Sequence, residues 1–158
     1  MIVDLMVHDF DFARWLGGEV QRIFARRSRN DQGMAEYAQA ILRFKSGAIG
    51  LIEGGWAYPA GVFRTGFDLS GSDGLIEWNS DQPGPVHVLR ASEAEDTGAV
   101  GLPISGITED PYTIEICHAY DAIRTENPFD VTAQDALQSL RIALAARESI
   151  NTNQPAIL

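Results

Sequence analysis

The run Asp4-Leu5-Met6-Val7-His8-Asp9-Phe10-Asp11 gathers three carboxylates around one imidazole. On a helix, residues four apart share a face, so Asp4 and His8 are neighbours and Asp11 lies one turn further along. A carboxylate beside an imidazole fixes its tautomer, raises its pKa and aims it at a substrate, which is what a general acid/base histidine needs. The same spacing also serves an ordinary surface ion pair, so spacing alone leaves both readings open. Asp4, His8 and Asp11, with His118 as a fourth donor, would also suit a metal-dependent hydrolase. No HExxH pattern and no second Cys/His pair accompanies them, and no metal is expected.

A second group lies in Trp56-Ala57-Tyr58-Pro59-Ala60-Gly61-Val62-Phe63-Arg64, where aromatic rings and an arginine share one loop. That composition suits the rim of a sugar or polyol site, and equally an ordinary surface loop. Arg26-Arg27-Ser28-Arg29-Asn30-Asp31-Gln32-Gly33 reads as a solvated basic loop, with an anion site as the sharper alternative. His87 alternates with apolar residues and reads as an exposed strand position, while His118 reads as a packed helix residue. Neither GxGxxG nor GxxxxGK[ST] occurs, so the chain itself offers no phosphate cradle.

These groups need a frame. Leu5, Phe12, Trp15 and Leu16 recur at helical spacing before Gly17-Gly18, which predicts an N-terminal helix with those residues as its apolar stripe. From Ala35 to Phe44 the period drops towards two. Lys45-Ser46-Gly47 then turns the chain, and Ala48 to Trp56 returns as the second strand of a hairpin, with Ile49 and Leu51 on one face and Ile52 on the other. Phe63 to Leu69, Leu75 to Trp78 and Val86 to Leu89 add strands, with Gly71-Ser72-Asp73-Gly74 as a hairpin turn. Residues 91–108 are small, polar and glycine-rich, hence a loop. Asp110-Pro111 opens a helix with apolar Ile114, Cys117, Ala119, Tyr120 and Ile123. Thr132 caps a further helix whose stripe runs through Ala136, Leu137, Leu140, Ala143, Leu144 and Ile150, with Arg147 near its end. Pro155 to Leu158 reads as a short edge strand. The expected fold is α+β: an open, mostly antiparallel sheet packed on one face by helices.

At 158 residues the chain suits a single domain. Lys plus Arg total 12 against 22 for Asp plus Glu, a net charge of -10, which repels phosphate backbones and argues against nucleic acid. No apolar run approaches the ~20 residues of a membrane span, and three aspartates precede the first arginine, unlike a secretory signal. Cys117 is the sole cysteine, which favours the cytoplasm. Lys45 is the sole lysine.

Several motifs run through the chain in a familiar order. They are Asp4-xxx-His8-Asp9-x-Asp11 leading into Arg14-Trp15-Leu16-Gly17; Arg43-Phe44-Lys45-Ser46-Gly47-Ala48-Ile49-Gly50 followed by Trp56; and Gly71-Ser72-Asp73-Gly74-Leu75-Ile76-Glu77. The last are Asp135-Ala136-Leu137-Gln138-Ser139-Leu140 and Ala145-Ala146-Arg147-Glu148-Ser149-Ile150. Together they resemble the C-terminal domain of the glucose-fructose oxidoreductase/inositol dehydrogenase (Gfo/Idh/MocA) family. The resemblance implies a C-terminal domain like that of dihydrodipicolinate reductase, here residues 1–158 without the N-terminal Rossmann domain. It implies hydride transfer between a sugar, polyol or related carbonyl compound and NAD or NADP bound mainly by that missing domain, with no cofactor expected on this chain alone. By the same resemblance, His8 is the acid/base on the substrate hydroxyl with Asp4 beside it, and Trp56, Phe63 and Arg64 belong to the substrate wall.

The family's catalytic lysine, in a Glu-Lys-Pro motif, belongs to the Rossmann domain. No such motif occurs here, and Lys45 falls in a hairpin turn. The chain is therefore expected to be a fragment, a natural truncation or a separately encoded half, inactive alone. A stand-alone, non-catalytic binding or assembly module with the same fold is the alternative, and in either case a homo-dimer or higher oligomer is expected through the sheet face.

Overall fold

The computed structural model describes residues 1–32, 35–56, 63–80, 86–90, 100–102 and 111–158. The chain divides into two compact units, Met1–Pro59 with Pro128–Leu158, and Ala60–Asn127. Strands are antiparallel throughout and helices flank them, giving the α+β class.

In the first unit, α1 (Met6–Gly17) is followed by β1 (Val20–Arg29), β2 (Ala35–Phe44) and β3 (Ile49–Gly55). The helix α3 (Ala133–Thr152) and the short β8 (Ala156–Ile157) close the chain. The sheet order is β3-β2-β1-β8, so the terminal strand lies at the edge beside β1. Cross-strand register places Ala25 beside Ala40 and Ala40 beside Ile52, and likewise Ile23 beside Leu42. Because side chains alternate between faces, this register builds one inner face of Ile23, Ala25, Ala38, Ala40 and Leu42. Met6 and Phe10 of α1 and Ile142, Ala143 and Ala146 of α3 seal against it to form the core. The outer face carries Ile41, Ile49, Leu51 and Ile157, each at least half exposed. Ile52, facing the other way, packs against the core.

Close helix-to-sheet approach needs missing side chains. A Cβ on Gly54 would lie 2.9 Å from Met6 Cγ, and one on Gly17 would lie 2.8 Å from the Phe44 ring. These two glycines let both ends of α1 settle onto the sheet.

The second unit holds β4 (Gly66–Gly71), β5 (Gly74–Asn79), β6 (Val86–Arg90), β7 (Val100–Leu102) and the helix α2 (Pro111–Thr125). Its strands run in sequence order, β4-β5-β6-β7, with Phe67 opposite Trp78 and their ring centroids 5.9 Å apart.

The hairpins, the Gly71–Gly74 turn, the Thr132 cap and the edge strand agree with the sequence reading, but other expectations do not hold. The arginine-rich segment continues β1 as far as Arg29 and is not a loop: Arg22 and Arg26 pair with outer-face positions of β2 while Ile23 and Ala25 point inward. A three-residue strand, β7, falls inside the expected loop 91–108, whose other residues lie outside the described part, as do Gly33 and Asp110. The helix stripes are also different. On α1, Trp15 and Leu16 are exposed and the buried residues are Met6 and Phe10. On α3 the buried stripe is Ser139, Ile142, Ala143, Ala145, Ala146 and Ser149, while Leu137, Leu140 and Leu144 are exposed. On α2, Ile114, Cys117, Tyr120 and Ile123 are exposed and Ala122 is buried.

Candidate active site

The first turn, residues 2–5, is closed by the Leu5 N–H donating to the Met1 carbonyl at 2.7 Å and leads directly into α1. Asp4 therefore stands one helical turn before His8. Met6, Phe10, Ala13 and Gly17 recur every three or four residues and fix the side of α1 that meets the sheet. His8 and Asp4 fall on the opposite side, and both are exposed. Among the described residues no hydrogen bond joins them. Asp9, on the flank, is half-buried; burial pushes its carboxyl up from the usual value of 3.8, and the charge of neighbouring His8 pulls the other way.

The remaining face of α1 is tied to α3. Ser139 donates its hydroxyl to Asp11 Oδ1, and Arg14 Nη1 donates to Asp135 Oδ1 at 3.0 Å. Arg14 also holds Glu19 at 2.8 Å. Burial opposes the Arg14 charge, but its bonds to Asp135 and Glu19 more than offset this and hold the guanidinium firmly protonated. Asp135 in turn closes the capping box of α3. It accepts the Thr132 hydroxyl at 2.6 Å and the Thr132 N–H at 3.0 Å, while its own N–H donates to Thr132 Oγ1. Those bonds to Thr132, then the Arg14 charge, pull the Asp135 carboxyl down to about 2. Asp11 is thus a structural tie, and His8 is presented on a helix fixed on two sides.

Trp56 directly follows β3 and is 54% exposed; it lies two residues beyond the Gly54 over which the start of α1 packs. Phe63 and Arg64, both exposed, belong to the second unit, and residues 57–62 between them and Trp56 lie outside the described part. The fold therefore gathers Asp4, His8 and Trp56 in one unit and places Phe63 and Arg64 in the other. Among the described residues no three His, Cys, Asp or Glu side chains converge as a metal site. Gly71-Ser72-Asp73-Gly74 is a turn between antiparallel strands, not a strand-to-helix phosphate loop. Among the described residues no helix is long and apolar enough to cross a membrane.

The stripe reading missed one feature beside His8. Phe12 and Trp15 occupy the same outer side of α1 as His8, and their rings stack with centroids 6.1 Å apart. Counting four and seven residues on from His8 finds both.

Residues 1–77 match the GFO/IDH/MocA C-terminal domain. The chain is 28% identical over 158 residues to myo-inositol 2-dehydrogenase of Thermotoga maritima, covering 95% of this chain and 46% of that protein. It is 26% identical over 168 residues to scyllo-inositol 2-dehydrogenase (NAD(+)) of Bacillus subtilis, covering 98% and 46%. Among solved structures, levoglucosan dehydrogenase in complex with NADH superposes with a TM-score of 0.81 at 22% identity, covering 98% of this chain and 49% of that one. An Agrobacterium radiobacter oxidoreductase in complex with NAD+, L-tartaric acid and magnesium gives 0.76 at 21% identity, covering 99% and 48%. The chain spans about half the length of the curated relatives it matches.

Proposed function

We propose that this chain is the substrate-binding and oligomerisation half of an NAD(P)-dependent oxidoreductase acting on a sugar, polyol or related compound. The observation that carries this reading is the Asp4/His8 pair on the outer face of a rigidly held helix, in a chain whose likeness to inositol dehydrogenases spans nearly all of it. His8 takes the proton of the substrate hydroxyl during oxidation and returns it during reduction. Asp4 stands one turn away on the same side of the helix. Trp56, Phe63 and Arg64 contribute an apolar wall and a hydroxyl-binding cation. Among the described residues nothing fits a dinucleotide: the Gly71–Gly74 turn joins two antiparallel strands and no helix N-terminus follows it. NAD or NADP, which supplies the hydride acceptor when bound, is therefore assigned to a separate nucleotide-binding half, and this chain alone is inactive. Its single thiol suits a reducing cytoplasm.

The test supplies the other half. The chain is fused behind the N-terminal half of the Thermotoga maritima relative and assayed for NAD-linked oxidation of inositols and aldoses. Turnover is expected, with none from the 158-residue chain itself, and His8→Asn should lower kcat by about 10²–10⁴, the usual weight of an acid/base group. Turnover by the chain alone, or a fully active His8→Asn fusion, would refute the assignment.

A second reading is favoured by the outer sheet face, where Ile41, Ile49 and Leu51 are 50%, 70% and 63% exposed. A non-catalytic assembly module would use that face to join a second copy. An inactive fusion that still self-associates would select it.

A further inference from the structure

Beside the β2–β3 turn, the outer sheet face ends in one row that crosses four strands: Ile157 of β8, Arg22 of β1, Arg43 of β2 and Ile49 of β3. All four are exposed, the two isoleucines by 73% and 70%. The arginines in the middle are direct cross-strand partners, and like charges so opposed destabilise a sheet. Local geometry creates the pair. Strict alternation from buried Val20 would put Gln21 beside Arg43 and turn Arg22 inward. The register instead slips between Val20 and Arg22, so one extra residue is taken up, Arg22 emerges beside Arg43 and Ile23 enters the core. Bulges of this kind re-aim side chains.

The fold does not neutralise what the bulge assembles. The chain holds 22 acids against 12 bases. Among the described residues, however, neither guanidinium of the pair has a carboxylate or hydrogen-bond partner, whereas Arg14, Arg26 and Arg124 each have one. Glu53, an acid on the same face, stands two rows away and is taken by Tyr37 at 2.6 Å. Two planar forks whose Cα atoms are about 5 Å apart can close on a single oxyanion through charge-assisted bonds. Isoleucine on either side lowers the local polarity, which strengthens such bonds. We propose that Arg22 and Arg43 form an oxyanion site for a phosphate group, whose charge of about -2 matches theirs. The site lies on the sheet face turned away from α1, so it is separate from His8 and stands whether or not the chain works in hydride transfer.

Isothermal titration of the 158-residue chain with inorganic phosphate, at an ionic strength held constant with chloride, tests the site. Saturable binding of one ion per chain is expected. Arg22→Gln and Arg43→Gln should each weaken it about ten-fold or more, the weight of hydrogen bonds to a charged group, while Arg141→Gln on α3 leaves it unchanged. In phosphate-free buffer both variants of the pair should melt no lower than the parent, because the opposed charges are gone. Glucose 6-phosphate separates the two sources of the group: equal affinity assigns the site to the free ion, tighter binding to a phosphate ester. Absence of saturable binding overturns the inference, as does undiminished binding by either variant. A lower melting temperature in both variants would show the arginines already satisfied within the fold and overturn it as well. So would self-association in phosphate-free buffer that Arg43→Gln abolishes, which would give the pair to a carboxylate of a second copy.

Discussion

His8 is flanked by two acids in different settings, Asp4 in solvent and Asp9 half-buried at the helix flank. Burial raises the Asp9 carboxyl above its ordinary 3.8. A group whose pKa is higher in the folded state favours folding at low pH, and that contribution fades as pH rises through the folded value. At neutral pH the ionised Asp9 is therefore a burden on the fold. Asp9→Asn should raise the thermal midpoint at pH 7 and leave it nearly unchanged at pH 3; equal shifts at both values would contradict the account. The one-turn spacing of Asp4 and His8 was legible in the sequence because four-residue spacing is local arithmetic. The half-burial of Asp9 was not, because it depends on what packs beside the helix.

Among the elements, α3 makes the most specific attachments. Its capping box joins Thr132 and Asp135, and loss of such a cap typically costs about 1 kcal/mol, so Thr132→Ala should lower stability by that amount in urea unfolding. Asp135, held down to about 2, stabilises the fold above pH 4 and releases it as pH falls through 2. Asp135→Asn should accordingly flatten the acid limb of a stability-pH curve between those values. Farther along, fully buried Ser149 accepts the Ala25 N–H at 3.0 Å. Ser149→Ala strands that amide and should cost about 1–3 kcal/mol, whereas Ser149→Thr, which keeps the oxygen, tests whether the bond or the volume matters. Strands, turns and the Thr132 cap were readable because each rests on a local signal. The helix faces were not. In α3 the leucines drew attention, yet the buried stripe is Ile142 with small alanines and two serines, a choice set by close packing on β1. In α1 the two competing stripes have the same period, and only the glycine-cleared sheet beneath Met6 decides between them. Four arginines hid β1, since on a strand charge marks the outward face rather than a loop.

For the whole molecule, the outer sheet face is the main unpaired surface of the first unit. Placing a charge on it by Ile49→Asp should convert a micromolar oligomer to monomer in sedimentation without shifting the melting curve, because Ile49 is 70% exposed. A parent chain that is already monomeric would remove the self-association reading. The same sheet is closed along one side. The two residues of β8 pair with Arg22 and Ile23, Leu158 N–H donates to the Gln21 carbonyl, and Ser149 of α3 takes the next inward amide at Ala25. A helix hydroxyl thus stands where another strand would otherwise add, and Arg26, bonded to Asn153 beyond α3, continues the barrier. Among the described residues, β3 is the long free edge of this sheet and the two-residue β8 the short one. Fibrillar growth needs an extended free edge on both sides of every unit, and β8 offers only two residues on one of them, so an encounter along β3 favours a pair over a fibre.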